Sequence, residues 1–476
     1  MKKINKLSRR SFLGQASCAA LGSSTLFSSL ISLKALNAAV AANSGVFGGA
    51  DDYKALVCVF MSGGHDSFNM LVPTSTSEYT EYATTRSNLA LDRNSLLNLN
   101  SQNGDGRSFG LHPAMPAVQK LFNSQKVAFI SNIGTLTQPT SREDVWNEVA
   151  TLPLGLFSHS DQIQQWQTSL PHERSASLGW GGRVADLIRD MNTNQNISMN
   201  VSLSGTNVFQ SGQMTIEYAI DPYGGSIGIE GYEKENMYDV FNLMRTQAID
   251  NMIDHEYQDI FKKTYVDVIR RSRDGHQLFD TALEKVGDLN TPFTDNYISQ
   301  SFNMIARTIA AREELGMKRQ IFFVDFGGWD HHDELLDNQF GMLNVLSTAL
   351  GEFDAALNEI SMSDCVTTFS VSEFGRTLTS NGNGTDHAWG GNVMVMGGAQ
   401  INGGRIFGDY PSPVLDGPLE LGGGVFLPTI STDQYFAEIA RWFGVSNSEL
   451  STVFPNLENF YDIGSLDMPL GFLNLT

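Results

Sequence analysis

Cysteine, basic residues and long apolar runs are all in short supply in this 476-residue chain, and each shortage excludes something. Three cysteines are too few for a disulfide-built scaffold, and none stands in a Cys-x-x-Cys or Cys/His spacing, which removes thiolate metal chemistry. Cys58 and Cys365 lie inside apolar runs and are expected as buried free thiols rather than a disulfide between neighbouring strands. Lysine and arginine number 31 against 52 acidic residues. The first 42 residues hold six of those bases and no acid, so the remainder carries 25 basic and 52 acidic residues, a balance of −27. Such a field repels nucleic acid and anionic membrane surfaces, so no nucleic-acid partner is expected, and an anionic substrate needs a local positive centre such as a metal. Beyond the first forty residues no apolar run approaches the ~20 residues that span a bilayer, so no stable membrane insertion is expected once the leader is cleaved.

What is present begins with that leader. Ser8-Arg9-Arg10-Ser11-Phe12-Leu13, preceded by Lys2, Lys3 and Lys6 and followed by a weakly hydrophobic Ser/Ala-rich stretch, is a twin-arginine export pattern. Residues 1–42 are read as the signal peptide, with cleavage after Ala39 or Ala41 and with Cys18 removed. The translocation machinery that reads twin arginines is then a partner, and the mature chain is periplasmic or secreted. Residues 43–476 are read as one large domain.

Along that domain, apolar runs at 54–61, 127–132, 197–203, 320–326, 365–371 and 392–397 are short, rich in Val, Ile and Phe, and mostly non-alternating. Continuous apolar strands are those covered on both faces. Helical patterns lie between them at 113–123, 161–169, 181–191, 296–315 and 333–360. This alternation predicts an α/β fold: a three-layer α/β/α sandwich with a mainly parallel central sheet. Residues 232–290 break the rhythm with a charged helical stretch in which Met237, Phe241, Met244, Ala248, Met252 and Tyr257 form one stripe, read as a helical insertion or cap.

Polar ligands follow several of the strands. Asp66 closes KALVCVFMSGGHD, and GGWDHHDE after IFFVDF offers Asp330 with His332 or His331 from one tight loop. SEFGRT supplies Glu373 and Arg376, and TDHAWGGN supplies Asp386 and His387. Carboxylate oxygen with imidazole nitrogen suits zinc or another first-row divalent ion better than calcium. The alternatives are ordinary: helix capping by Asp330 or Asp333, and a structural ion pair between Glu373 and Arg376. Taken together, the clusters point to a shared metal site, with Arg376 placed to hold an anionic oxygen bidentately.

SGGHDSFNMLVP, LHPAM, LFSHSDQIQQWQT, GWGGRVAD, FVDFGGWDHH, SEFGRT, NGTDHAWGGN, GGRIFGDYP and the closing ARWFGV and FPNLENF, with the twin-arginine start, resemble the domain of unknown function family 1501 over nearly the whole mature chain. The resemblance implies an alkaline phosphatase-like and sulfatase-like fold with a metal site at the strand ends. The metal would be zinc first, with manganese, magnesium or calcium as alternatives. The implied ligands are Asp66, Asp330, His332, Glu373 and His387, with Asp386 as a further candidate. In that frame His159, flanked by Ser158 and Ser160, falls where relatives carry a hydroxyl nucleophile. Ligand, nucleophile and plain structure are all open roles for it, and Ser160 is the neighbouring hydroxyl candidate. The implied activity is a metal-dependent hydrolase of phosphate or sulfate esters acting on a small anionic ester or glycan. The alternative is a non-catalytic metal- or glycan-binding or assembly protein of the same fold. Export supplies the first test: with Arg9 and Arg10 both changed to Lys, the uncleaved precursor should accumulate in the cytoplasm, as read by fractionation and immunoblotting.

Overall fold

A strand apolar at every position is stable only where both of its faces are covered, and Lys54–Phe60 (β1) lies at the middle of a sheet covered in that way. The computed structural model describes residues 52–232 and 239–474, so the leader and its twin arginines lie outside the described residues. Side chains of β1 alternate between two cores. Ala55, Val57 and Val59 enter one, and Leu56, Cys58 and Phe60 enter the other.

The remaining strands of the main sheet are β2 (Val127–Gly134), β3 (Asn200–Ser202), β4 (Tyr218–Asp221), β5 (Gly225–Ser226), β6 (Arg319–Asp325), β7 (Val366–Val371), β8 (Gly391–Met396), β9 (Ile406–Phe407) and β10 (Ile430–Ser431). Their order is β9-β2-β8-β7-β1-β6-β3-β4-β5, with β10 also paired to β2. The pairs β1 with β6, β1 with β7, β3 with β6, β3 with β4, and β9 and β10 with β2 are parallel. β8 runs antiparallel between β7 and β2, and β5 antiparallel to β4. Helices α2 (Pro116–Asn123), α7 (Tyr297–Ala310) and α8 (Leu335–Glu359) cover one face; α3 (His159–Thr168), α4 (Trp180–Ile188) and α9 (Thr432–Phe443) cover the other. The fold is the expected three-layer α/β arrangement with a mainly parallel sheet. Register places the functional loops: Phe60 is level with Asp325 on β6 and with Val371 on β7, so three loops leave the same edge side by side.

One expectation needs correction. Cys58 is buried and free, but Cys365 is only half-buried, and the two are far from pairing. Cys58 stands opposite Phe369, four residues beyond Cys365 along β7, about 13 Å of strand at ~3.3 Å per residue. Residues 240–286 form two helices, α5 (Val240–Asp254) and α6 (Ile260–Val286), and several apolar side chains of α5 are exposed. On α5 the buried residues are Thr246 and Ile253, while Phe241, Met244 and Met252 are exposed. Tyr257 is half-buried, and Met237 lies outside the described residues.

The C-terminal segment is pinned by a carboxylate inside the second core. Glu438 on α9 is fully buried and accepts the backbone N–H groups of Leu470 (2.6 Å), Gly471 (2.8 Å) and Leu473 (2.6 Å). Burial pushes its pKa up to about 7 against the pull of those donors. A carboxyl raised on folding binds its proton more tightly in the native state. Its stabilising contribution is therefore full below the ordinary value near 4.5 and is lost as pH rises through about 7. Relative to Glu438→Gln, which has no such titration, the wild type should lose on the order of 3 kcal/mol across that window, as read from urea midpoints at pH 4.5 and 8.

Candidate metal centre

The three parallel loops are locked back to back by glycines and one arginine. Gly63 (φ +123°) lies so close to the loop after β6 that a Cβ there would sit 2.5 Å from the backbone N of Asp330. Ser62 O accepts the N–H groups of Gly328 and Trp329, both at 3.1 Å, and the Ser62 hydroxyl donates to Asp325 at 2.6 Å. Arg376, fully buried, donates from Nε to Gly64 O (2.7 Å), from Nη1 to Thr385 O (2.9 Å), and from Nη2 to Gly63 O (2.6 Å) and Asp330 Oδ1. Its remaining N–H points at His332 Nε2, 3.4 Å away. The other arm of the same hairpin carries His387, opposite Arg376.

Around Asp330 three imidazoles converge by the same atom. His159 Nε2 lies 3.1 Å from His387 Nε2, and His332 Nε2 lies 2.9 Å from it. Asp330 is 3.4 Å from His159 Nε2, 3.1 Å from His332 Nε2 and 3.3 Å from His387 Nε2. Each ring has its other nitrogen engaged on the outside. His387 Nδ1 is 2.7 Å from Phe157 O, a carbonyl that can only accept, so Nδ1 carries the hydrogen. His159 Nδ1 is 2.7 Å from Glu373 Oε1 and His332 Nδ1 is 3.2 Å from Asp386 Oδ1. With Nδ1 as the donor on the outer side, His159 and His387 turn Nε2 lone pairs together with the Asp330 carboxylate toward one point, an arrangement satisfied by a cation between them, and His332 Nε2 stands beside that point, also facing the Arg376 N–H. Phe374 closes the floor, its ring 4.8 Å from that of His159 and 4.7 Å from that of His387.

The electrostatics are consistent with this grouping. The hydrogen bond to Glu373 holds the His159 pKa above the usual imidazole value although burial opposes it. Burial lowers that of His387. Burial of Asp330 favours its neutral form, but the hydrogen bond and charge of Arg376 outweigh that and hold its pKa below the usual carboxylate range.

Of the residues singled out in the sequence, Asp330, His332 and His387 are brought together, and His159 joins them as an equal member rather than beside them. Glu373 and Asp386 stand behind imidazoles instead of at the point of convergence. Asp66 is not part of the group. It is buried at the N-terminus of a one-turn helix, with Oδ2 2.5 Å from Arg86 Nη2 and 3.4 Å from the Thr385 hydroxyl, and Oδ1 accepting from Asn69 N at 3.3 Å. The first-strand carboxylate therefore closes an internal ion pair. Arg376 is also placed differently: four of its five N–H groups go to three carbonyls and Asp330 and the fifth faces His332, which leaves no pair of donors for a bidentate substrate clamp. Ser160 is exposed and its hydroxyl lies 3.3 Å from Ser158 Oγ. His331, the alternative to His332, turns inward beside Trp329, and burial depresses its pKa. Missed altogether were Phe374, the Phe157 carbonyl and Arg86. Phe374 stood inside the SEFGRT motif, but Arg86 lies in a run with no motif at all.

A family model described as Protein of unknown function (DUF1501) matches residues 188–452, more than half of the chain. The chain belongs to this family. No curated protein matches it. Among solved structures, Ps i-CgsB in complex with k-i-k-neocarrahexaose is similar at 11% identity, over 86% of this chain and 76% of that one, with a TM-score of 0.35. The lipoteichoic acid synthase LtaP from Listeria monocytogenes is similar at 10% identity, over 81% and 77%, with a TM-score of 0.30. The PsFucS1 sulfatase from Pseudoalteromonas sp. is similar at 10% identity, over 83% and 68%, with a TM-score of 0.33. These scores are too low to carry a substrate or a mechanism across.

The geometry makes Arg376 a lock between loops, and this is testable without any substrate. A lysine offers one nitrogen and cannot reach five separated acceptors. Arg376→Lys should therefore cost the metal-free protein about 2–3 kcal/mol in urea unfolding, from unsatisfied carbonyls and a released Asp330. Unchanged stability would return Arg376 to the role of a substrate clamp.

Proposed function

We propose that this exported protein holds a divalent metal, zinc first, through His159, His332 and His387 Nε2 with Asp330, and hydrolyses a phosphate or sulfate ester there. The single observation supporting this reading is the inward convergence of the three imidazoles described above, each backed by an acceptor on its far nitrogen. Nitrogen and carboxylate donors in this mixture suit zinc, and a carboxylate or carbonyl behind each ligating imidazole is the usual outer support of such sites. A bound divalent ion would supply Lewis acidity toward an ester oxygen and lower the pKa of water.

The chain's own residues do the rest. Glu373 fixes the ring of His159, Asp386 that of His332, and the Phe157 carbonyl that of His387. Phe374 keeps water from the floor between two of them. Arg376 holds Asp330 ionised and aimed. Because an imidazole occupies the start of α3 and the Ser158 and Ser160 hydroxyls face each other, the attacking oxygen in this reading comes from water, not from a seryl side chain.

One observation favours the second reading, a metal-holding protein without turnover: Arg376, the only guanidinium among the described residues that contacts the group, spends four of its five N–H groups on Gly63, Gly64, Thr385 and Asp330 and keeps at most the one facing His332 for an anionic substrate. Turnover of aryl phosphate, phosphodiester and sulfate esters by the metal-replete protein separates the two. Metal binding is tested independently by zinc titration against a competing chelator. Glu373→Gln should weaken affinity about 10- to 100-fold while keeping stoichiometry, and His159→Ala should weaken it further. Wild-type affinity in both variants would remove His159 from the ligand set.

A further inference from the structure

At the β5 edge of the main sheet, away from the metal centre, three side chains form a line of hydrogen bonds. Ser226 Oγ lies 2.5 Å from His276 Nδ1, and His276 Nε2 lies 3.3 Å from Asp280 Oδ2. An ionised carboxylate can only accept, so Nε2 carries the ring hydrogen and Nδ1 turns its lone pair to the serine hydroxyl. Hydroxyl, imidazole and carboxylate in this order are the groups that make a serine a nucleophile, and they are recognised by geometry and role rather than by position in the chain.

Two elements hold the group in place. The turn between β4 and β5 is tied by Asp221 Oδ1, which accepts the N–H groups of Tyr223 at 2.9 Å and Gly224 at 2.7 Å. Gly225 then takes φ +73° and packs on α6, where a Cβ would sit 3.4 Å from Leu283 and 3.5 Å from Phe279. His276 and Asp280 stand one turn apart on that same helix. Gly228 lies so close to the ring that a Cβ there would be 2.5 Å from His276 Nε2, which fixes the imidazole plane. Tyr218 on β4 also hydrogen-bonds Ser226, and burial pushes its phenol pKa up, so it keeps its proton as a donor. The group reaches the surface: Ser226 is 8% open to solvent and the His276 side chain 29%.

We propose that Ser226, His276 and Asp280 form a second hydrolytic site, independent of the metal centre, at which Ser226 is acylated by an uncharged carboxylic ester. Charge selects that class. Asp280 pairs with no lysine or arginine among the described residues, and Glu284 stands one turn beyond it. Arg273, one turn before His276, is spent on Asp250 and Asp274. A phosphate or sulfate ester therefore meets only negative charge, whereas a neutral carbonyl is not repelled. The narrow opening at Ser226 suits a short acyl group. In acylation, Ser226 Oγ bonds to the carbonyl carbon while its proton moves to His276 Nδ1, and Tyr218 donates to the carbonyl oxygen. The proton then passes to the leaving oxygen as that C–O bond breaks, which releases an alcohol. Water adds to the acyl carbon, giving a proton to Nδ1, and Ser226 leaves with that proton as the carboxylic acid departs. Asp280 faces the imidazolium formed in each half.

An alkyl fluorophosphonate, which transfers its phosphonyl group to an activated serine with loss of fluoride, tests this on the mature protein in the presence of a metal chelator. Mass spectrometry should find one adduct per chain, on Ser226, and the same protein should hydrolyse p-nitrophenyl acetate. Ser226→Ala should abolish both, and His276→Ala and Tyr218→Phe should each slow both about 100-fold. Wild-type protein without an adduct on Ser226 overturns the proposal, as does an adduct that forms at the wild-type rate in His276→Ala. An unlabelled wild type whose Ser226→Ala and His276→Ala variants melt at lower temperature also overturns it, and makes the group a tether between β5 and α6.

Discussion

The hydrogen bonds of the Arg376 guanidinium are the constraint on which the candidate site rests. One planar, permanently charged group reaches Gly63 and Gly64 after β1, Asp330 after β6, and Thr385 on the loop that returns toward β8. Three loops that would otherwise drift independently become one rigid edge, because a buried guanidinium tolerates no lost acceptor. The close packing at Gly63 follows from this. So does the position of Asp330, whose charge is stabilised by the same cation that ties the loops. A side chain that looks in the sequence like a reagent is, in the structure, what makes the edge a single object.

Upon that edge the imidazoles are arranged by what stands behind them. Glu373, Asp386 and the Phe157 carbonyl are acceptors of different kinds, but all do the same physical job of fixing one ring nitrogen so that the other is presented inward. Carboxylates are therefore used at two depths, Asp330 at the point of convergence and Glu373 and Asp386 one bond further out. The negative balance of the chain is not spread uniformly either. Part of it is invested in orienting neutral rings, and Asp66 is spent on Arg86 in the interior.

Six of the ten strands of the main sheet were legible because each lies in a short, mostly apolar run, and a run of that kind has few other places to go; the short β4, β5, β9 and β10 carry no such run. The functional edge was legible because glycine and a ligand-type residue follow several of those runs. Orientation was not. β8 is as fully buried as β7 and β2 on either side of it, and nothing in it says that it runs antiparallel to both. Residue type identified Glu373, Asp386 and Arg376 as chemically interesting, but whether an acid faces a metal or a histidine depends on a fraction of a turn of backbone. Asp66 was misread because its partner, twenty residues on, lies in a helix without motif. Periodicity defines a face on α5, but it does not say on which side the protein lies.

Between His159 and Asp330 the chain passes through β3, β4, β5, the hairpin and α7, then comes back to within 3.4 Å of where it left. Closing a loop already that long depends on its length only logarithmically, so adding or deleting turns in the outer half of the hairpin changes the closure cost by tenths of a kcal/mol. The inner half, with Phe279, Ala282 and Leu283, cannot be shortened so freely, because those side chains are core. The molecule thus has a socket for variation. Its outer helical tip is replaceable at little thermodynamic cost, so descendants of this chain can vary that tip while the edge that carries Asp330 and the imidazoles stays as it is.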